Sequence, residues 1–239
     1  MILPDRCAFS HLTAVQLLDL PTPFGFNGDS KVHVSIPVSA NRVRRREIVA
    51  HRSGVPDGEI IEIDGLPATR PERAFVDLAA HFDATYLVPL GDAMLRRRLV
   101  TVASLGEAIE TAAGRRGVAA ARCALPRLDG RSKSPSESLL RVRIEDAGMP
   151  KLEPNVDVFD ALGCWIATPD LLAAAAKVAI EHEGDHHREK RQFAGDIARD
   201  QLVQGEGYVV LHTYKNDLFR MTPFYSTLRG LLDERTPRL

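Results

Sequence analysis

Only three cysteines occur in the 239 residues, Cys7, Cys123 and Cys164. Their number is odd and their spacings are far too wide for a zinc cluster. A disulfide framework is therefore not expected, and a reducing compartment is the simplest setting. Net charge is nearly absent too, at −1. A protein that coats DNA would be more basic, so any nucleic-acid contact must come from local patches. The candidates are Arg42 to Arg46, Arg96 to Arg98, and Arg115 and Arg116 with Arg122; solvated helix or loop faces account for the same runs. No apolar run is long enough to cross a bilayer. The N-terminus lacks a basic start followed by an apolar stretch, so no secretory signal is expected. These absences point to a cytoplasmic protein with no membrane partner.

What is present is ordinary globular composition, 44% hydrophobic and 26% charged. The length suits two small domains or one large one, and either can bury a core. Ser10 to Leu20 reads as a helix, with Leu12, Val15 and Leu18 at helical spacing. Val32 to Ile36 alternates apolar and polar, which predicts a strand. Ile48 to His51 and Ile60 to Ile63 are further strands, the second closed by Asp64-Gly65. Thr69-Arg70-Pro71-Glu72 has the spacing of a capping box, and Ser104 with Glu107 repeats it. Helices are expected over Leu87–Leu99, Leu105–Ala112 and Val118–Leu125. The polar stretch Leu128 to Lys133 is the candidate boundary between domains 1–128 and 129–239.

Beyond it, Ser134-Pro135-Ser136-Glu137 opens a helix running to about Ala147. Strands are expected near Val156–Phe159 and Tyr208–Thr213, with a helix over Arg188–Gln204 between them. A last helix follows Thr222-Pro223. The fold class is α/β: a mixed α+β N-terminal domain followed by an αβ C-terminal domain.

The segment Asp170 to Glu183 admits two readings. Its alanines and leucines favour a helix, and Pro169 suits a first helical position. A hairpin turning near Ala175-Ala176 would instead set Asp170 opposite Glu181, with Glu183 further along the same face. Like charges facing each other across strands are destabilising, and a divalent cation would remove that cost. Such hard oxygen ligands suit Mg²⁺ or Mn²⁺. In a helix the two acids would lie about 16 Å apart and could not share an ion. Propensity leans to the helix, because nothing in the four alanines favours a positive φ.

The run Val178-Ala179-Ile180-Glu181-His182-Glu183-Gly184-Asp185-His186-His187-Arg188 resembles the signature of a bacterial family, domain of unknown function 559. That family is similar to the very-short-patch-repair endonucleases of the PD-(D/E)XK superfamily. Ser134-Pro135-Ser136-Glu137-Ser138 resembles its opening helix, Asp170 falls where its strand aspartate falls, and Asp196, Arg199 and Asp200 resemble its charged helix. Gly207 to Leu211 follows in the same order. The resemblance covers roughly Gly130 to Phe219. It implies the hairpin, a restriction-endonuclease-like fold, and a Mg²⁺ (or Mn²⁺) site of Glu137, Asp170 and Glu181 that hydrolyses DNA. Glu183 and His187 join the implied catalytic set. The superfamily's lysine position is Glu183 here, and Arg188, Lys190 or His187 are the candidates to supply its charge.

Ser10-His11-Leu12-Thr13-Ala14 and Gly65 to Pro71 look like AbiEi-type antitoxins of type IV toxin–antitoxin systems. Those proteins usually begin with a winged helix-turn-helix, and the resemblance implies that this sequence is expected to start after it. A regulator with a toxin or other protein partner is thus the alternative to an endonuclease. Each acid also has a plainer account. Glu137 completes a capping box, Asp170 could cap a helix, and Asp196 and Asp200 could form a salt-bridged surface with Arg199. A third reading is a zinc hydrolase, because His182-Glu183-Gly184-Asp185-His186 is a His-Glu-x-x-His motif with His212 as a possible third ligand.

Overall fold

The computed structural model describes residues 6–24, 31–41, 43, 45–183, 199–220 and 223–236. The chain forms two compact units, Met1–Gly130 and Arg131–Leu239. Both mix helices with sheet. Among the described residues, no helix is long and apolar enough to cross a membrane.

Unit 1 is built on a five-stranded sheet in the order β3-β2-β1-β5-β4, with β1 Ala8–Phe9, β2 Val32–Ile36, β3 Ile48–Arg52, β4 Ile60–Ile63 and β5 Leu66–Thr69. β2 is a strand as its sequence implies, with Val34 and Ile36 buried beside Ile48, but its burial does not alternate, because Ser35 is fully buried as well. Helix α1, His11–Leu17, follows β1, and it is shorter than its periodicity predicts. Helices α2 Pro71–Leu78, α3 Ala84–Arg96, α4 Val102–Thr111 and α5 Val118–Ala124 complete the unit.

Two capping expectations are corrected. Thr69 belongs to β5, so α2 starts one residue later, with Arg70 as N-cap and Pro71 in the first turn. Strand pairing to Ile60 takes the backbone that a cap would need. At α4 the box lies three residues earlier: Thr101 caps the Ser104 N–H, and Ser104 Oγ accepts from the Thr101 N–H at 3.0 Å.

Unit 2 opens with α6, Pro135–Asp146, capped by Ser134. Its four-stranded sheet runs β11-β10-β9-β6, with β6 Glu153–Pro154, β9 Leu171–Ala173, β10 Val178–Glu183 and β11 Val209–Tyr214. A small ribbon, β7 Val158–Phe159 with β8 Trp165–Ala167, stands beside it. Residues 199–205 are helical (α7), and α8 spans Pro223–Arg235.

The alanine-rich segment is a hairpin. Ala173 pairs with Val178, Leu172 with Ala179 and Leu171 with Ile180. Four alanines favour a helix by at most about 0.7 kcal/mol each over ordinary residues. The hairpin buries Leu171, Val178 and Ile180 completely, each burial contributing about 1.5–3 kcal/mol, and gives all six residues of β10 a partner in β11. The turn that the alanines fail to make is supplied by Lys177, whose φ of 50° is left-handed. Two contacts hold it there: Lys177 Nζ donates to the Glu206 carbonyl at 2.9 Å, and its carbonyl accepts the Val209 N–H at 2.9 Å.

Candidate functional site

One further step of the β9–β10 register sets Asp170 opposite Glu181. The pairing is fixed by a hydrogen bond from the His182 N–H to Asp170 Oδ2, 2.7 Å long. Successive side chains on a strand alternate between faces, so Asp170, Leu172, Ala179, Glu181 and Glu183 share one. On β11 the same face carries Val210 and His212, because Glu181 pairs with His212. Helix α7 covers it, since Val203 packs with Leu172 and Ala179. The acids therefore stand where an apolar patch ends.

Glu137 joins them from the first turn of α6. Ser134 Oγ accepts the Glu137 N–H at 3.2 Å, which is half of a capping box. The other half is not made. Glu137 Oε2 instead accepts from the Lys133 N–H at 2.8 Å and from Asn155 Nδ2 at 2.9 Å. Asn155 has a left-handed φ of 51°, and its N–H donates to the Asp170 carbonyl at 3.1 Å. This one residue ties the Glu137 carboxylate to the backbone of Asp170. Asn tolerates left-handed φ better than most residues, but nothing else in its sequence context marks the role.

Electrostatics shows how closely the acids gather. Burial pushes Asp170 up to about 6, with repulsion from Glu137 and Glu183 adding to it and the His182 N–H and Lys133 opposing. Burial also pushes Glu181 up to about 7, and the charge of Asp170 adds to it. Asp200 raises Glu181 further, while Arg199 and His212 oppose.

Asp200 was expected on a salt-bridged surface; it belongs to the site. His212 Nε2 bonds Asp200 Oδ2 at 2.9 Å, and Nδ1 bonds Glu183 Oε1 at 3.2 Å. A ring between two carboxylates is favoured in its protonated form, which can donate from both nitrogens. Burial alone would lower the His212 pKa, but these two bonds outweigh it and raise it. The sequence offered His212 only as a zinc ligand. It pairs with Glu181 across β10 and β11, between Glu183 and Asp200.

The zinc-hydrolase motif loses its helix. His182 and Glu183 lie on β10 and point to opposite faces. His182 Nδ1 meets Thr213 Oγ1 at 2.7 Å, whereas Glu183 meets His212. Asp185, His186, His187, Arg188, Lys190 and Asp196 lie outside the described residues.

Among the described residues, no three His, Cys, Asp or Glu side chains are arranged as a ready metal cage. Mg²⁺ does not require one: it keeps several waters and is held by one or two carboxylates together with substrate phosphate. The donor set fits that pattern. Asp170 and Glu181 would offer hard oxygen donors whose repulsion a cation would relieve, and Asn155 Oδ1 is buried without a donor among the described residues.

The chain is similar to uncharacterized proteins of Mycobacterium tuberculosis, one from each of two strains. Each is 27% identical over 203 residues, covering 82% of this chain and 72% of the relative. That span is longer than either unit. No family model matches the chain, and no solved structure shows a significant match.

Proposed function

We propose that unit 2 is a Mg²⁺- or Mn²⁺-dependent DNA endonuclease acting in the cytoplasm, with Asp170 and Glu181 as the principal metal ligands. The observation that carries this reading is the chain reversal at Lys177, which sets two half-buried, mutually repelling carboxylates side by side. A fold that gained nothing from this charge would not need to bury it. The resemblance to the very-short-patch-repair-like family supports the same reading, as does the order of helix, strands, helix and strand.

In this mechanism, bound Mg²⁺ supplies Lewis-acid activation of the scissile phosphate and lowers the pKa of a water. The chain's own groups do the rest. Asp170 is oriented by the His182 N–H, which leaves its second oxygen for the metal. Asn155 aims Glu137 at the same place. His212, charged between Glu183 and Asp200, stabilises the negative charge that develops on the phosphate, a role the superfamily gives to lysine.

Supercoiled plasmid incubated with Mg²⁺ or Mn²⁺ tests the proposal. Wild type should nick or linearise it, and Asp170→Asn and Glu181→Ala should each lose activity by about a hundredfold or more. Cleavage unaffected by either substitution would show a contaminant. No cleavage of any nucleic acid by wild type would favour the alternative, an AbiEi-like regulator that binds a toxin or other protein.

A further inference from the structure

Unit 1 gathers half of the chain's eight histidines. The His11 and His51 rings are stacked, with centroids 3.5 Å apart and planes 14° from parallel. His33 Nδ1 lies 3.0 Å from His51 Nε2, and the His81 ring stands edge-on at 5.9 Å from His11. They come from α1, β2, β3 and the turn after α2, so the fold alone brings them together.

A cavity of about 300 Å³ opens onto this stack, lined by His11, His51, His81, Arg52, Arg115 and Arg116. Its charge is positive. Asp77 is buried at its edge, but Arg73 and Arg115 both hold that carboxylate, and Arg73 also meets Glu59. Arg52 donates to a neutral carbonyl, that of Val38, and both Arg52 and Arg116 are exposed residues of the lining. Arg52 and Arg116 thus bring two further guanidinium groups to the rim of the cavity.

The backbone is shaped around the same place. His11 has a left-handed φ of 52° at the start of its helix. Strain of this kind persists where the surroundings hold a side chain to a task. Gly117 has a φ of +86°, and a Cβ there would meet the Ala79 carbonyl carbon at 2.2 Å. That close approach pins Arg115 and Arg116 against the end of α2, beside His81.

We propose that this cavity binds a small phosphate-bearing anion of the nucleoside monophosphate class, with Arg52 and Arg116 pairing its phosphate and the histidine stack donating N–H groups. Guanidinium matches phosphate geometry through paired N–H donors. Burial and the neighbouring histidines keep His11 and His51 neutral. With His11 Nδ1 accepting from Ser10 Oγ and His51 Nε2 accepting from His33 Nδ1, the other nitrogen of each ring carries the one N–H it has to give. The volume lies at the small end of ligand sites, which suits a mononucleotide and not a large cofactor.

Calorimetric titration of the full chain with adenosine monophosphate, adenosine and inorganic phosphate tests this. The nucleotide should bind, adenosine should not, and Arg116→Ala and Arg52→Ala should each weaken binding by about tenfold or more. Arg98→Ala, outside the cavity, should leave it unchanged. Inorganic phosphate binding as tightly as the nucleotide would support the anion site and assign it to the free ion. No binding of nucleotide or phosphate by wild type, or equal binding by Arg116→Ala, would overturn the proposal. Nuclease activity plays no part in this readout.

Discussion

The Asp170 carboxylate accepts the backbone N–H of His182 at 2.7 Å, so the acid on one arm of the hairpin is fastened to the residue that follows Glu181 on the other. The two carboxylates cannot drift apart to relieve their repulsion. Each is instead raised towards neutrality by burial and by its neighbours.

This has a consequence for stability. Both folded pKa values lie above the unfolded ones, so the folded state binds more protons between about pH 4 and about pH 7. The associated stability is fully present below the unfolded values and is lost as pH rises through about 6 for Asp170 and about 7 for Glu181. At about pH 8 without metal, Asp170→Asn or Glu181→Gln should therefore stabilise the protein, by about 1–3 kcal/mol. At about pH 4 the gain should vanish. Urea unfolding at the two pH values checks it, and destabilisation by both variants at the higher pH would contradict it.

Metal affinity should follow the same protons. Mn²⁺ must displace them, so its binding should strengthen by about tenfold or more between about pH 5.5 and about pH 7.5. Calorimetric titration at a series of pH values reads this directly. A flat profile would mean that the buried acids are not the ligands.

His212 supplies the positive charge in this account. His212→Gln should keep the fold and metal affinity yet slow cleavage by about a hundredfold. Loss of Mn²⁺ binding in this variant, with cleavage falling only in proportion, would assign His212 to the metal and not to the phosphate.

The hairpin itself can be tested at its turn. At a left-handed φ, glycine is comfortable and a β-branched residue is not. Lys177→Gly should be more stable than Lys177→Val by about 2 kcal/mol, even though both lose the contact with Glu206. In a continuous helix the order would reverse, because glycine is the poorer helix former.

Much of this architecture can be read from residue order. The strand at β2, Pro71 at the start of α2 and the Ser134 cap of α6 follow local rules, although β2 buries Ser35 together with Val34 and Ile36. The alanine segment does not. Its local preference is helical, and pairing with β11, thirty residues away, decides the outcome. Resemblance, not propensity, pointed to the hairpin. The site divides in the same way. Glu137, Asp170, Glu181 and Glu183 carry a sequence pattern. Asn155 and the bridge from Asp200 through His212 to Glu183 are visible only once β11 lies beside β10. The histidine cluster is further removed still, since its members are spread from His11 to His81 and no spacing links them.

The burial of His11 predicts an acid-resistant neutral ring. Its folded pKa is pushed down to about 2, chiefly by burial and also by the other histidines. Here the unfolded state binds the extra proton, so this contribution is whole above about pH 6.5 and is lost as pH falls towards 2. Ring nitrogen shifts in nuclear magnetic resonance should report a neutral His11 at about pH 5. A charged ring at that pH would contradict the packing described for unit 1.

The most direct test of the proposed metal site is a crystal of the protein grown with Mn²⁺ and measured at a wavelength where manganese scatters anomalously. An anomalous peak within about 2.5 Å of carboxylate oxygens from both Asp170 and Glu181 is the expected result. Ordered carboxylates with no peak between them would contradict the account.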